Sequence, residues 1–111
     1  MTNVDYETGV LVREIRRSNE YNQYQRLRKR LSSDKDLMKR VDGYRRDCFY
    51  LQTKEFEESD AARLEELEKE NEDILSMAQV HEFLLSEQKL CRMIKKILAA
   101  VTDAAGLDLE L

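Results

Sequence analysis

SMAQVHEFLLSEQKLCRMIKKILAAVTDA, residues 76–104, decides the fold. Its apolar residues recur at Val80, Leu84, Cys91, Ile94, Leu98 and Val101, and with Glu87 in the missing slot the spacing alternates four and three. That is the seam of a helix packed lengthwise on another helix. Phe83, Leu90 and Ile97 run alongside and widen the stripe beyond a two-stranded seam. Ser76 followed by Gln79 reads as a capping box and sets the expected start. Nothing stops the helix before Gly106, so it runs for about 43 Å. A helix of that length and apolarity needs long partners.

Working outward, the second long helix is predicted over residues 34–58. Its seam is Leu37, Val41, Tyr44, Cys48 and Leu51, again spaced four and three, flanked by Met38 and Phe49. Ser33 with Asp36 makes a second plausible capping box. Gly43 lies inside this helix, where it costs about 1 kcal/mol relative to alanine. It is there either by chance or because another backbone passes close. Between the long helices, residues 61–73 form a shorter one behind Ser59-Asp60, with Leu64 and Leu67 inward and Ile74 and Leu75 near its end. Asn71 either fixes register in a buried seam or faces solvent near the helix end. Upstream, residues 5–17 form a short amphipathic helix with Val10 or Leu11 and Ile15 inward. Ser18 caps the next run, Tyr21, Tyr24, Leu27 and Leu31.

Composition agrees with this pattern. The 111 residues suit one domain with one modest core, expected to span 1–111 with 105–111 as a frayed tail. Proline is absent, glycine occurs three times and 38% of residues are charged, as in helical chains. No run approaches 18 apolar residues, so no membrane span is expected. Met1 to Val10 holds acids and lacks a basic segment followed by an apolar one, so it does not read as a signal peptide, and a cytoplasmic protein is expected.

Charge is uneven around a net −4. Residues 13–46 hold twelve Lys and Arg against five acids, whereas residues 55–73 hold ten acids against Arg63 and Lys69. Lys89, Arg92, Lys95 and Lys96 then follow with no acid among them. These blocks are either complementary solvated faces of neighbouring helices or a functional surface. In the functional reading, Arg26, Arg28 and Arg30 are the candidate basic surface, with Tyr21, Tyr24 and Tyr44 available to stack on bases. No nucleic-acid motif accompanies them, so RNA binding by the 13–46 region is the alternative rather than the leading expectation.

Catalytic motifs are missing. His81 opens His-Glu-Phe-Leu-Leu, which starts like the HExxH zinc motif but lacks its second histidine. There is no phosphate loop and no nucleophile elbow. Cys48 and Cys91 lie 43 residues apart, which is neither a disulfide framework nor a metal motif, and both read as small buried hydrophobes. No catalytic residue, metal or cofactor is expected, and the chain does not read as an enzyme.

Three segments resemble a known family. Ser18 to Leu31 (SNEYNQYQRLRKRL) looks like the SEEYQRYKEAREAL-type segment of the bacterial YlbF/YmcA family. Ser33-Asp34-Lys35-Asp36-Leu37 stands where that family has a DPE helix start. Val80 to Leu90 (VHEFLLSEQKL) looks like its VREYLEAEQEL segment. The resemblance spans roughly residues 8–103. Two family features are missing here: the prolines that often open the third and fifth helices, and the cysteine-containing tail of some members. Without that tail, no iron–sulfur cluster is expected. The resemblance implies a small helical cytoplasmic protein without catalytic residues. It also implies oligomers, and regulation of mRNA processing alongside the endoribonuclease RNase Y, with effects on competence, sporulation and biofilm formation.

The expected architecture is all-α, a five-helix bundle built on two long antiparallel helices and completed by dimerisation. A single chain leaves part of each long stripe uncovered. Phe83, Leu90 and Ile97 are the candidate contacts with a second chain. The partner is expected to be a second copy or a paralogue, joined to an RNase Y-like complex.

Overall fold

Thr2 starts the first helix by exchanging hydrogen bonds with Asp5: its Oγ1 accepts from the Asp5 amide at 3.1 Å, and Asp5 Oδ2 accepts from the Thr2 amide at 3.1 Å. The computed structural model describes residues 2–106, and the helices it shows there are α1 (Asn3–Arg17), α2 (Asn19–Leu31), α3 (Lys35–Thr53), α4 (Asp60–Glu70), α5 (Glu72–Leu75) and α6 (Ala78–Ala104). No strand occurs among the described residues, so the chain is all-α. α3 and α6, of 19 and 27 residues, are the long helices.

Six helices stand where five were expected, because Asn71 ends α4. Its backbone leaves helical geometry (φ −114°, ψ 15°), and its side-chain amide donates to the Leu67 carbonyl at 2.8 Å. A local hydrogen bond of this kind competes with helix continuation. Ser76 likewise closes α5, its hydroxyl donating to the Asp73 carbonyl at 3.0 Å, so the expected Ser76–Gln79 box does not form and α6 begins at Ala78. Ser33 turns back to the Arg30 carbonyl, and the cap of α3 is Asp34, whose Oδ1 accepts from the Leu37 amide at 3.1 Å. Ser18 does cap α2, accepting from the Tyr21 amide at 3.2 Å. At the far end, Gly106 takes φ +69° and its N–H donates to the Asp103 carbonyl, the left-handed stop that glycine accepts without strain. Of the expected frayed tail, residues 107–111 lie outside the described residues.

The contacts group into two compact units. One runs from Arg28 to Phe83. There α3 packs on α4 and α5, and Leu31, Leu37, Met38, Val41, Leu67, Ile74, Val80 and Phe83 are buried. Burying such side chains stabilises a fold by about 1.5–3 kcal/mol each. The space beside Gly43 is open, with no atom within 4 Å of a built Cβ, so no backbone passes close there.

The other unit comprises the residues up to Leu27 together with those from Leu84 onward. Its buried residues are Leu27 and Ser86. α1 has no buried residue, and Val10 and Ile15 are half-buried. Along this part of α6, Leu90, Met93 and Ile97 are half-buried, whereas Cys91, Ile94, Leu98 and Val101 are exposed. The four-three seam read from the sequence is therefore the outward edge of the helix beyond Leu84.

Candidate functional site

Phe83 is fully buried, and two guanidinium groups lie over its ring. The Arg45 Cζ is 5.3 Å from the ring centroid and the Arg28 Cζ 6.0 Å. Both distances are within cation–π range, where desolvated pairs contribute about 0.5–2 kcal/mol. Asp42, one turn before Arg45 on α3, holds both cations. Its carboxylate accepts a forked pair from Arg28 at 3.3 and 3.2 Å and a third bond from Arg45 at 2.7 Å. Burial pushes the Asp42 carboxyl up, but the two guanidinium groups outweigh it and hold its pKa below the usual range. The cluster is a structural clamp that fixes Phe83 and the start of α6 within this unit.

That arrangement relocates two expectations. Phe83 is enclosed by its own chain, so it offers nothing to a second one. Its position between four-three residues made it look like a flank, whereas the guanidinium lid puts it at the centre of the core. The basic trio is also divided. Arg26 and Arg30 are exposed and one turn apart, while Arg28 points across the helix to Asp42 and Phe83. Leu90 and Ile97 keep part of their surface accessible.

The cysteines differ. Burial raises the Cys48 thiol pKa and more than offsets its hydrogen bond with Tyr44; the nearby Asp47 and Glu68 charges raise it further. Cys48 is therefore a protonated, half-buried thiol at neutral pH, and Cys91 is exposed. Among the described residues no three His, Cys, Asp or Glu side chains gather where they could hold an ion. None of the described helices is long and apolar enough to cross a membrane.

Between α3 and α4 lies an open groove of about 550 Å³. Tyr50, Leu51 and Asp47 line one wall, and Ala62, Arg63, Glu66 and Leu67 the other, with Arg63 donating to Glu66 at 3.1 Å. At one end Lys54 bonds Asp60 at 3.0 Å, and the second Asp60 oxygen accepts from the Glu57 amide at 2.9 Å. That amide, then Lys54, holds the Asp60 carboxyl below its ordinary value. Phe49, Tyr50 and Phe56, toward and just beyond the end of α3, are all exposed. Sequence reasoning placed Phe49 beside the seam and missed the groove, because a groove depends on how α3 and α4 meet. The acidic block does reach it: Glu66 and Asp60 belong to residues 55–73.

Residues 7–104 match the family described as "Control of competence regulator ComK, YlbF/YmcA". No curated protein and no solved structure matches the chain.

Proposed function

We propose, from the premise that this chain belongs to the YlbF/YmcA family of competence regulators, that it is a non-enzymatic cytoplasmic adaptor. It assembles with itself or with a paralogue and serves an RNase Y-like endoribonuclease in mRNA processing, and so bears on competence, sporulation and biofilm formation. The observation that carries the assembly is the uncovered edge of α6. Beyond Ser86 no described residue of that helix is buried, and Ile94, Leu98 and Val101 expose 36, 43 and 57% of their surface. Grouped apolar exposure of this kind marks an interaction surface. Leu90 and Ile97 border the same edge and belong to the proposed contact. The nuclease link rests on the family resemblance alone.

Two measurements test this reading. Light scattering on the purified protein is expected to give a mass above 13.2 kDa, and a stable monomer at high concentration removes the assembly. Affinity purification from the native cell is expected to recover a paralogue or an RNase Y-like nuclease. Recovery of neither rejects the adaptor role.

A further inference from the structure

The self-association proposed above still needs a surface to receive the α6 edge, and this inference rests on that reading. Helical geometry puts Cys91, Ile94, Leu98 and Val101 on one stripe, with Lys95 and Arg92 along its solvent border. The segment therefore presents an apolar strip edged with positive charge, and no acid falls between Lys89 and Lys96. The α3–α4 groove presents the opposite character. It offers an apolar floor, Leu51 and Leu67, an exposed aromatic ring, Tyr50, and three carboxylates, Asp47, Asp60 and Glu66, against two cations, Lys54 and Arg63, which bond Asp60 and Glu66. It lies against the block from Glu55 to Asp73, which holds ten acids and two cations.

We propose that the exposed edge of α6 from one copy docks on the α3–α4 groove of a second copy. Ile94 and Leu98 lie over the groove floor and Tyr50, and Lys95 and Arg92 face Asp47 and Glu66. The occupant is a second copy because this sequence itself carries both halves: a basic apolar strip, and an apolar groove bordered by the acidic block of residues 55–73. Charge complementarity of this kind fixes register and excludes like-with-like pairing, here α6 on α6 with four cations brought together on each side. Each copy offers one strip and one groove, so each can donate and receive.

The test uses the full chain and two charge-reversed variants at exposed positions. Arg92→Glu with Lys95→Glu is expected to weaken self-association at least ten-fold in sedimentation equilibrium, and so is Asp47→Lys with Glu66→Lys. Mixing the two variants is expected to restore association, because each strip–groove contact between one variant and the other again joins opposite charges. Circular dichroism confirms that each variant is helical. Wild type that associates while neither reversal changes its affinity overturns this docking and leaves self-association through another face. Two weakened variants that fail to rescue each other also overturn it. A wild-type monomer overturns both readings.

Disulfide trapping gives an independent readout that does not depend on charge reversal. In a Cys48→Ser background, Tyr50→Cys is expected to form an intermolecular bond with the native Cys91 under mild oxidation, identified by peptide mass. A dominant Cys91–Cys91 link means that α6 packs on α6, which rejects the groove as receiver.

Discussion

Phe83 shows what a single residue contributes. Its ring fills the core of the 28–83 unit and also forms the surface on which Arg28 and Arg45 lie. Phe83→Ala is expected to lose about 3–5 kcal/mol, read from urea denaturation, which leaves a domain of this size near its unfolding limit. Asp42 has a complementary role, measurable by pH. Its folded pKa is depressed, so its stabilisation is complete above the unfolded carboxyl value of about 3.9. That stabilisation is lost as pH falls through the lower folded value. Asp42→Asn is expected to lower stability at neutral pH and to flatten the acid limb of a stability–pH curve. Gly43 works in the other direction. The space around it is empty, so Gly43→Ala is expected to raise the urea midpoint by about 0.5–1 kcal/mol of stability through helix propensity alone.

At the scale of the element, caps separate what was legible from what was not. The existence and kind of the long helices followed from their apolar spacing, which survives any tertiary arrangement. Their starts did not, because Ser33, Asp34 and Ser76 all suit a cap and only backbone geometry chooses among them. Asp34 won at α3, since its carboxylate reaches the Leu37 amide while Ser33 bonds backward to Arg30. Asp34→Ala is therefore expected to cost about 1 kcal/mol, and Ser33→Ala to stay within about 0.5 kcal/mol, in the same denaturation assay. The Thr2–Asp5 box escaped notice because the first apolar contacts of α1 lie well downstream. The Phe83 cluster was hidden for a different reason. Arg28, Asp42 and Arg45 look like ordinary surface charges until the turn at 32–34 brings Arg28 to Asp42. The outward edge of α6 was misread because a four-three repeat says that apolar residues share a face. It does not say whether anything covers that face.

For the whole molecule, the decisive contrast is between one well-filled unit and one with few buried side chains. A surface left open in the single chain makes stability depend on protein concentration when association closes it. Thermal unfolding midpoints are therefore expected to rise with protein concentration, and the rise is expected to shrink in high salt, where charge pairing between copies is screened. A midpoint independent of concentration counts against assembly through α6. The charge pattern has the same logic. A net −4 conceals a basic N-terminal half, an acidic middle and a basic α6, the blockwise order that the proposed docking between copies would use.

α6 itself has a kinetic consequence. The helix is continuous from Ala78 to Ala104, with no proline or glycine within it, yet its buried side chains lie only in its first nine residues, Val80, Phe83 and Ser86. Backbone amides along a single rod should then exchange with deuterium at graded rates. Those near Phe83 open only when the core opens, whereas those past Leu98 open by unwinding from the Gly106 end. In the isolated chain the protection factor is a ruler running down the helix, and binding to a partner would be seen as the slow end of that ruler advancing toward Val101.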